Sequence, residues 1–160
     1  MNKAIKPVYK QVIEKIAMIK NQFFFIVYGT ANAGLIAYGI LALTMPGILL
    51  ESFSAHVYRF SVDAITAVTY LSALFRLLGF LNLILGVLGL LLLWQYRIKR
   101  QTWLVYSVIV FSTLSYLGPI VFDNMVGNIG FFEIIEHIIF AAIILSGASM
   151  LSNRGVYEPS

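Results

Sequence analysis

Four long apolar segments dominate the sequence and limit the folds that are open to it. They cover residues 23–46, 64–94, 103–122 and 129–151. Each is long enough to cross the roughly 30 Å hydrocarbon core of a bilayer as a helix, which needs about 20 residues. Because apolar residues run continuously and do not alternate with polar ones, membrane strands are not expected. The sequence therefore predicts an all-α integral membrane protein, a single four-helix bundle.

The composition excludes several classes of protein. Hydrophobic residues make up 60% of the 160 residues and charged residues 11%, whereas a soluble domain carries about 25% charged residues. No cysteine is present, which excludes disulfides, thiolate metal ligands and cysteine nucleophiles. The net charge is +4, but the basic residues flank the apolar segments, so we expect them to set topology and expect no nucleic-acid partner.

The distribution of lysine and arginine predicts the orientation of the chain. Five lysines precede the first apolar segment, Arg97, Lys99 and Arg100 fill the second connection, and Arg154 follows the last segment. The other two connections contain only Arg59. By the positive-inside rule, both termini are expected in the cytoplasm.

The two ends of the chain lie outside the apolar segments. Residues 1–22 are predicted to form a basic amphipathic helix in the membrane interface, with Val8, Val12, Ile16 and Ile19 on one face. The alternative is a solvated basic tail that only sets topology. Residues 152–160 are predicted to form a cytoplasmic tail.

Small residues recur in the first two segments. Residues 28–39, "YGTANAGLIAYG", contain two pairs of small residues four apart, and the second segment carries Gly79, Gly86 and Gly89. Such residues let helix backbones approach closely. The pattern is compatible with packing inside one bundle or between copies of the chain, and it does not distinguish the two.

Four ionisable residues lie inside the apolar segments: Arg76 in the second, and Glu133, Glu136 and His137 in the fourth. At 1.5 Å per residue, Arg76 and Glu133 both lie roughly 26 Å from the predicted cytoplasmic interface. Glu133, Glu136 and His137 fall within an arc of roughly 100° on one helix face. Since such groups face a bundle interior or a water-filled cavity, we expect one polar cluster in the outer half of the membrane, with Arg76 as the counterion of Glu133.

The charges of this predicted cluster do not balance. One arginine, two ionised glutamates and a neutral histidine leave one negative charge, so one further proton is expected to be shared by the group. The cluster is compatible with a structural ion pair, a pocket for a small polar ligand or lipid headgroup, or part of a proton or ion path. A metal site is not predicted, because the other segments supply too few ligands. Asn82, Ser112 and Tyr116 are candidate pocket-lining residues.

Short motifs resemble those of the DoxX-like group of small prokaryotic four-helix membrane proteins. They are a glycine-bearing first segment that ends in proline ("GLIAYGILALTMPG"), an Arg-x-x-Gly motif with spaced glycines ("FRLLGFLNLILGVLGLLLLW"), a short basic turn, and "FFEIIEHIIF". The resemblance covers most of residues 23–150. Arg76, Gly79 and, loosely, Glu136 match it, whereas His137 does not. It implies a four-helix fold in a prokaryotic cytoplasmic (inner) membrane.

The functional prediction follows from the polar cluster. We expect a ligand- or lipid-binding module or an accessory subunit of a membrane complex, rather than an enzyme. One alternative is a quinone-interacting oxidoreductase subunit, because the family that gives the DoxX-like group its name resembles a subunit of a thiosulfate:quinone oxidoreductase. The other is a small proton-coupled transporter. Membrane lipids, other subunits or further copies of the chain are the expected partners, and the sequence names no cofactor.

Overall fold

The computed structural model describes residues 5–50, 64–126 and 130–152. Within these ranges the chain forms four long helices and no strand. The first connection, including His56, and the tail after Ser152 lie outside the described residues. The helices are α1 (Ile5–Thr44), α2 (Ala64–Lys99), α3 (Thr102–Val126) and α4 (Phe131–Ser152).

All four helices are long and apolar enough to cross a membrane. Large hydrophobic side chains are exposed along each of them, which suits a bundle surrounded by lipid rather than by water. The prediction of an all-α chain with four helices suited to spanning a membrane is therefore confirmed. Within the described residues the candidate spans are Gln11–Thr44, Val68–Lys99, Thr102–Met125 and Glu133–Ser152.

The helices pack in a ring in chain order, with α4 returning to α1. One diagonal of the ring is short, because α1 and α3 also touch each other. Tyr116 of α3 donates its hydroxyl to the carbonyl of Ala31 at 2.6 Å. Along the other diagonal, α2 and α4 do not approach each other within the described residues. The α1–α3 contact therefore separates α2 from α4.

Glycines allow α1 and α2 to pack closely. A Cβ added to Gly39 would lie 2.7 Å from the carbonyl oxygen of Gly79, and one added to Gly79 would lie 2.8 Å from the Cβ of Ala42. A Cβ on Gly86 would lie 2.6 Å from a side-chain carbon of Ile36. The glycines of the second apolar segment thus pack inside one bundle and not between copies of the chain.

Asn32, in the middle of α1, is completely buried and connects three helices. Its amide nitrogen donates to the carbonyl of Tyr28 at 2.7 Å and to the hydroxyl of Ser112 in α3 at 3.4 Å. Its amide oxygen occupies the space that Gly89 of α2 leaves by having no side chain. The amide nitrogen therefore has partners within the protein, as a buried donor in a membrane needs, whereas the amide oxygen has no hydrogen-bond partner among the described residues.

The short turn between α2 and α3 is held by Arg100, which has a left-handed backbone conformation with φ at 53°. Its guanidinium donates to the side-chain oxygen of Asn21 at 3.1 Å. It also lies 5.6 Å from the ring centres of Phe25 and Tyr96, which is within cation–π range. We call this the basic end of the bundle, after Arg97, Lys99 and Arg100.

Helix α1 continues well past the basic end. Asn21 is level with the end of α2, so the part of α1 from Ile5 to Lys20 extends roughly 24 Å beyond the other helices. The sequence predicted a separate amphipathic helix that ends at residue 22. The structure instead has one unbroken helix through this region, and the interfacial position remains a prediction.

We expect Gly89→Ala to destabilise the protein, because the added methyl group would occupy the space of the Asn32 side chain. Overpacking of this kind costs about 1–3 kcal/mol, and thermal unfolding in detergent would measure it. Gly118→Ala is the matched control, since a Cβ there has nothing within 4 Å. Equal changes in melting temperature in the two variants would contradict this account of the packing.

Candidate functional site

The site lies at the end of the bundle opposite the basic end, where α3 ends and α4 begins. Glu136 of α4 is within electrostatic range of Asp123 in α3 and of Glu133 and His137 in α4. We call these four residues the acidic cluster. The structure thus places the three polar residues of the fourth apolar segment near a carboxylate from α3.

His137 connects α4 to α3 through Nε2, while Nδ1 bonds within α4. Nδ1 lies 2.7 Å from the carbonyl oxygen of Glu133, and Nε2 lies 3.3 Å from the amide nitrogen of Asn124. A carbonyl oxygen only accepts, so Nδ1 carries the hydrogen. The Asn124 amide also donates to the carbonyl of Ile120 at 2.7 Å. Since that amide nitrogen is a donor, Nε2 accepts, and this arrangement matches a neutral imidazole.

Glu133 caps the start of α4. One carboxylate oxygen accepts the backbone N–H of Gly130 at 2.8 Å. The backbone N–H of Ile134 in turn bonds to the carbonyl of Gly130 at 3.2 Å. A glutamate three residues into a helix that reaches back to the capping residue is half of a capping box. A negative charge there also interacts favourably with the helix dipole.

Glu136 lies deeper, between α1, α3 and α4. One of its carboxylate oxygens is shielded from solvent and has no hydrogen-bond partner among the described residues. Two tyrosines are close. Tyr38 of α1 is within electrostatic range of Glu136, Asp123 and Glu133, and Tyr116 of α3 is within range of Glu136. Glu136 is therefore the member of the cluster whose hydrogen bonding is incomplete.

Arg76 is not brought to the acidic cluster. Its side chain is exposed, and its helix, α2, lies across the long diagonal from α4. The depth argument placed Arg76 at the same depth as Glu133, but equal depth does not show whether the two helices are neighbours in the bundle. The contact of α1 with α3 separates the two sites, so the structure gives the expected Arg76–Glu133 pair no support.

The three candidate lining residues have different positions. Tyr116 lies beside the acidic cluster, as expected. Ser112 is completely buried and accepts the hydrogen bond from Asn32, so it belongs to the contact between α1 and α3. Asn82 is half-buried on α2, the helix that does not approach α4.

Sequence reasoning missed Asp123, Asn124 and Tyr38. Asp123 was assigned to a connection, because the third apolar segment was ended at residue 122, whereas α3 continues to Val126. The signal for a longer helix was present, since no glycine or proline follows until Gly127. Tyr38 lies inside an apolar segment, and no local pattern singles it out.

The acidic cluster is rich in acceptors and negative charge. Neither α3 nor α4 contains a lysine or arginine. Among the described residues, no three His, Asp or Glu side chains are arranged to hold a metal ion. Like charges that share a partly buried site favour the uptake of protons or of a positively charged ligand. The arrangement is therefore suited to binding cations, hydrogen-bond donors or protons.

Comparisons of the chain with protein-family models, with curated proteins and with solved structures give no match. The assignment of a function therefore rests on the geometry and charge of the site.

We expect the stability effects of Arg76→Leu and Glu133→Gln to be additive. Residues that are far apart and share no partner combine to within about 0.3–0.5 kcal/mol in a double-mutant cycle. Unfolding of the two single variants and the double variant in detergent would measure this. Asn124→Ala and His137→Ala, which remove partners in direct contact, serve as the coupled control pair. A coupling between Arg76 and Glu133 as large as in the control would contradict the arrangement described.

Proposed function

We propose that this protein binds a cationic or hydrogen-bond-donating ligand in the acidic cluster, as a membrane binding module or an accessory subunit of a membrane complex. The observation that carries the proposal is the buried carboxylate oxygen of Glu136, which has no partner among the described residues. A buried acceptor without a hydrogen bond is unfavourable. A ligand that donates a hydrogen bond at this position would remove that cost.

The charge of the site indicates the class of ligand. Asp123, Glu133 and Glu136 are within electrostatic range of one another, and the helices that carry them contain no lysine or arginine. An anionic ligand would add to the repulsion, whereas an ammonium group would reduce it. The ammonium headgroup of a lipid or a small organic amine fits these requirements.

The location of the site follows from the basic residues. We propose that the basic end faces the cytoplasm, in accordance with the positive-inside rule, so that the acidic cluster lies toward the outer face. The DoxX-like resemblance would make this membrane the inner membrane of a prokaryote. Gly79, which belongs to the Arg-x-x-Gly motif of that resemblance, packs against Gly39 and Ala42 of α1. A quinone-interacting subunit remains a proposal that rests on the resemblance.

Proton-coupled transport is the second candidate, and buried polar groups below the cluster favour it. Tyr116 bonds to Ala31, and Asn32 follows one residue later in α1. Nearer the basic end, Tyr28 donates to the carbonyl of Ile143 at 2.9 Å. Ser146 is buried, with no hydrogen-bond partner for its hydroxyl among the described residues. Water molecules between such groups would extend a protonatable site into the bundle.

The binding proposal is tested with lipids of different headgroup charge. Short-chain phosphatidylethanolamine should raise the melting temperature of the purified protein, and short-chain phosphatidylglycerol should not. A ligand at 100 times its Kd adds about 2.7 kcal/mol of stability. Glu136→Gln should abolish the response, whereas Glu14→Gln, which removes a carboxylate from the extension of α1, should keep it. Equal stabilisation by both lipids, or a full response in Glu136→Gln, would exclude the proposed ligand class.

Transport is tested in proteoliposomes that carry a pH gradient and an internal pH-sensitive dye. If protons pass through the acidic cluster, the protein should accelerate the decay of the gradient, and Glu136→Gln should remove the acceleration. Arg76→Gln is the control, because Arg76 lies on the far side of the bundle and should leave the rate unchanged. A rate equal to that of empty liposomes would exclude proton transport and would not affect the binding proposal.

A further inference from the structure

Helix α1 exposes a single narrow stripe. Among its residues from Phe23 to Thr44, every exposed one lies on a line that runs from Phe23 through Ala33 to Thr44 in alternating steps of three and four. The remaining residues of this stretch are buried or half-buried. Steps of three and four are the spacing of the a and d positions of a coiled coil. We call this line the α1 stripe.

The α1 stripe continues beyond the bundle in the same register. Stepping back from Phe23 by four, three and four residues reaches Ile19, Ile16 and Val12, which are 56%, 46% and 50% exposed. These residues lie on the part of α1 that extends past the basic end. No charged residue interrupts the stripe between Val12 and Thr44. One continuous apolar surface therefore follows α1 from the extension through the bundle.

The middle of the α1 stripe differs from the exposed face of α2. Thr30, Ala33 and Ala37 occupy it, and small residues let another helix backbone approach closely. The exposed residues of α2 between Leu77 and Leu91 are all large Leu, Phe, Ile or Val side chains, as expected for a face that contacts lipid chains. The small residues of α1 indicate contact with a helix.

The extension limits what can cover the stripe. An unbroken helix of 40 residues is about 60 Å long, roughly twice the 30 Å of the hydrocarbon core. To lie flat on the membrane surface, the extension would need a break near residue 22, and α1 has none. Val12, Ile16 and Ile19 would then face water, where an apolar row is unfavourable. A partner helix that runs alongside α1 would cover them.

We propose that the α1 stripe is the interface between two copies of this chain. Copies inserted in the same orientation carry parallel α1 helices, and a two-fold axis along the membrane normal places stripe against stripe. The repeat of three and four then forms a left-handed coiled coil along the whole helix. A second copy would contact both the small residues in the middle of the stripe and the apolar residues on the extension of α1.

The size of the stripe supports pairing along its full length. The stripe from Val12 to Thr44 is about 50 Å long, so a contact about 10 Å wide covers about 500 Å² on each copy, or about 1,000 Å² in total, which is about the area that a biological interface has to reach. The extension alone would supply less than half of that. Lys15 and Lys20 flank the stripe on either side, so their charges repel across the pair, and added salt should strengthen the association by screening them.

Cysteine crosslinking tests the interface, since the natural chain has no cysteine. In the full-length protein in membranes, Ile19→Cys and Ala33→Cys should form disulfide-linked dimers on oxidation. Met18→Cys and Leu88→Cys, which lie at exposed positions off the stripe, should form several-fold less. Equal crosslinking at all four positions, or none at Ile19 and Ala33, would overturn the proposal.

A second measurement does not depend on oxidation. Ala33→Leu places a bulky group in the centre of the stripe and should raise the dissociation constant of the dimer in nanodiscs or detergent about tenfold or more. Ala148→Leu makes the same change at an exposed position of α4 and should have no effect. A chain that stays monomeric at every protein concentration would overturn the proposal. Fluorophores at residue 19 that respond to anionic lipid, without any crosslinking, would assign the stripe to the membrane surface and would also overturn it.

Discussion

The buried amide of Asn32 is the interaction on which the arrangement of the helices depends. Its nitrogen bonds to Ser112 of α3, and its oxygen occupies the place of a side chain at Gly89 of α2. The oxygen has no hydrogen-bond partner among the described residues, so the bonds of the nitrogen and the close fit of the side chain against Gly89 hold the three helices together. The close contact of α1 with α3 follows, and with it the separation of α2 from α4.

The charge of the acidic cluster is a consequence of that separation. With Arg76 kept on the far side of the bundle, Asp123, Glu133 and Glu136 share their site with one histidine, whose hydrogen bonds match a neutral ring. The basic end shows the opposite case, because Arg100 is bonded to Asn21 and lies against two aromatic rings. The guanidinium at the basic end thus has partners within the protein, while the acidic end keeps a carboxylate oxygen that has no hydrogen-bond partner among the described residues. This asymmetry is the physical basis for placing a ligand at the acidic end.

Much of the fold could be predicted because it is local. Four apolar segments gave four helices, and the shared face of Glu133, Glu136 and His137 gave their proximity. The errors arose where a local pattern continued without a signal or where distant segments had to meet. Asp123 was missed because α3 runs one turn past the apolar segment. Arg76 was expected at the cluster because depth was used without knowing which helices are neighbours.

The sequence by itself determined the number of long apolar helices and the helix face that each polar residue occupies. These quantities depend only on the rise and turn of an α-helix and on the cost of placing charge in hydrocarbon. The tertiary structure decided which helices stand side by side, and therefore which charges meet and which apolar face is left uncovered. The order of the helices in the plane of the membrane depends on close contacts such as Gly39 with Gly79 and Asn32 with Gly89. These contacts join residues far apart in the chain, and no local sequence pattern shows which residues will meet.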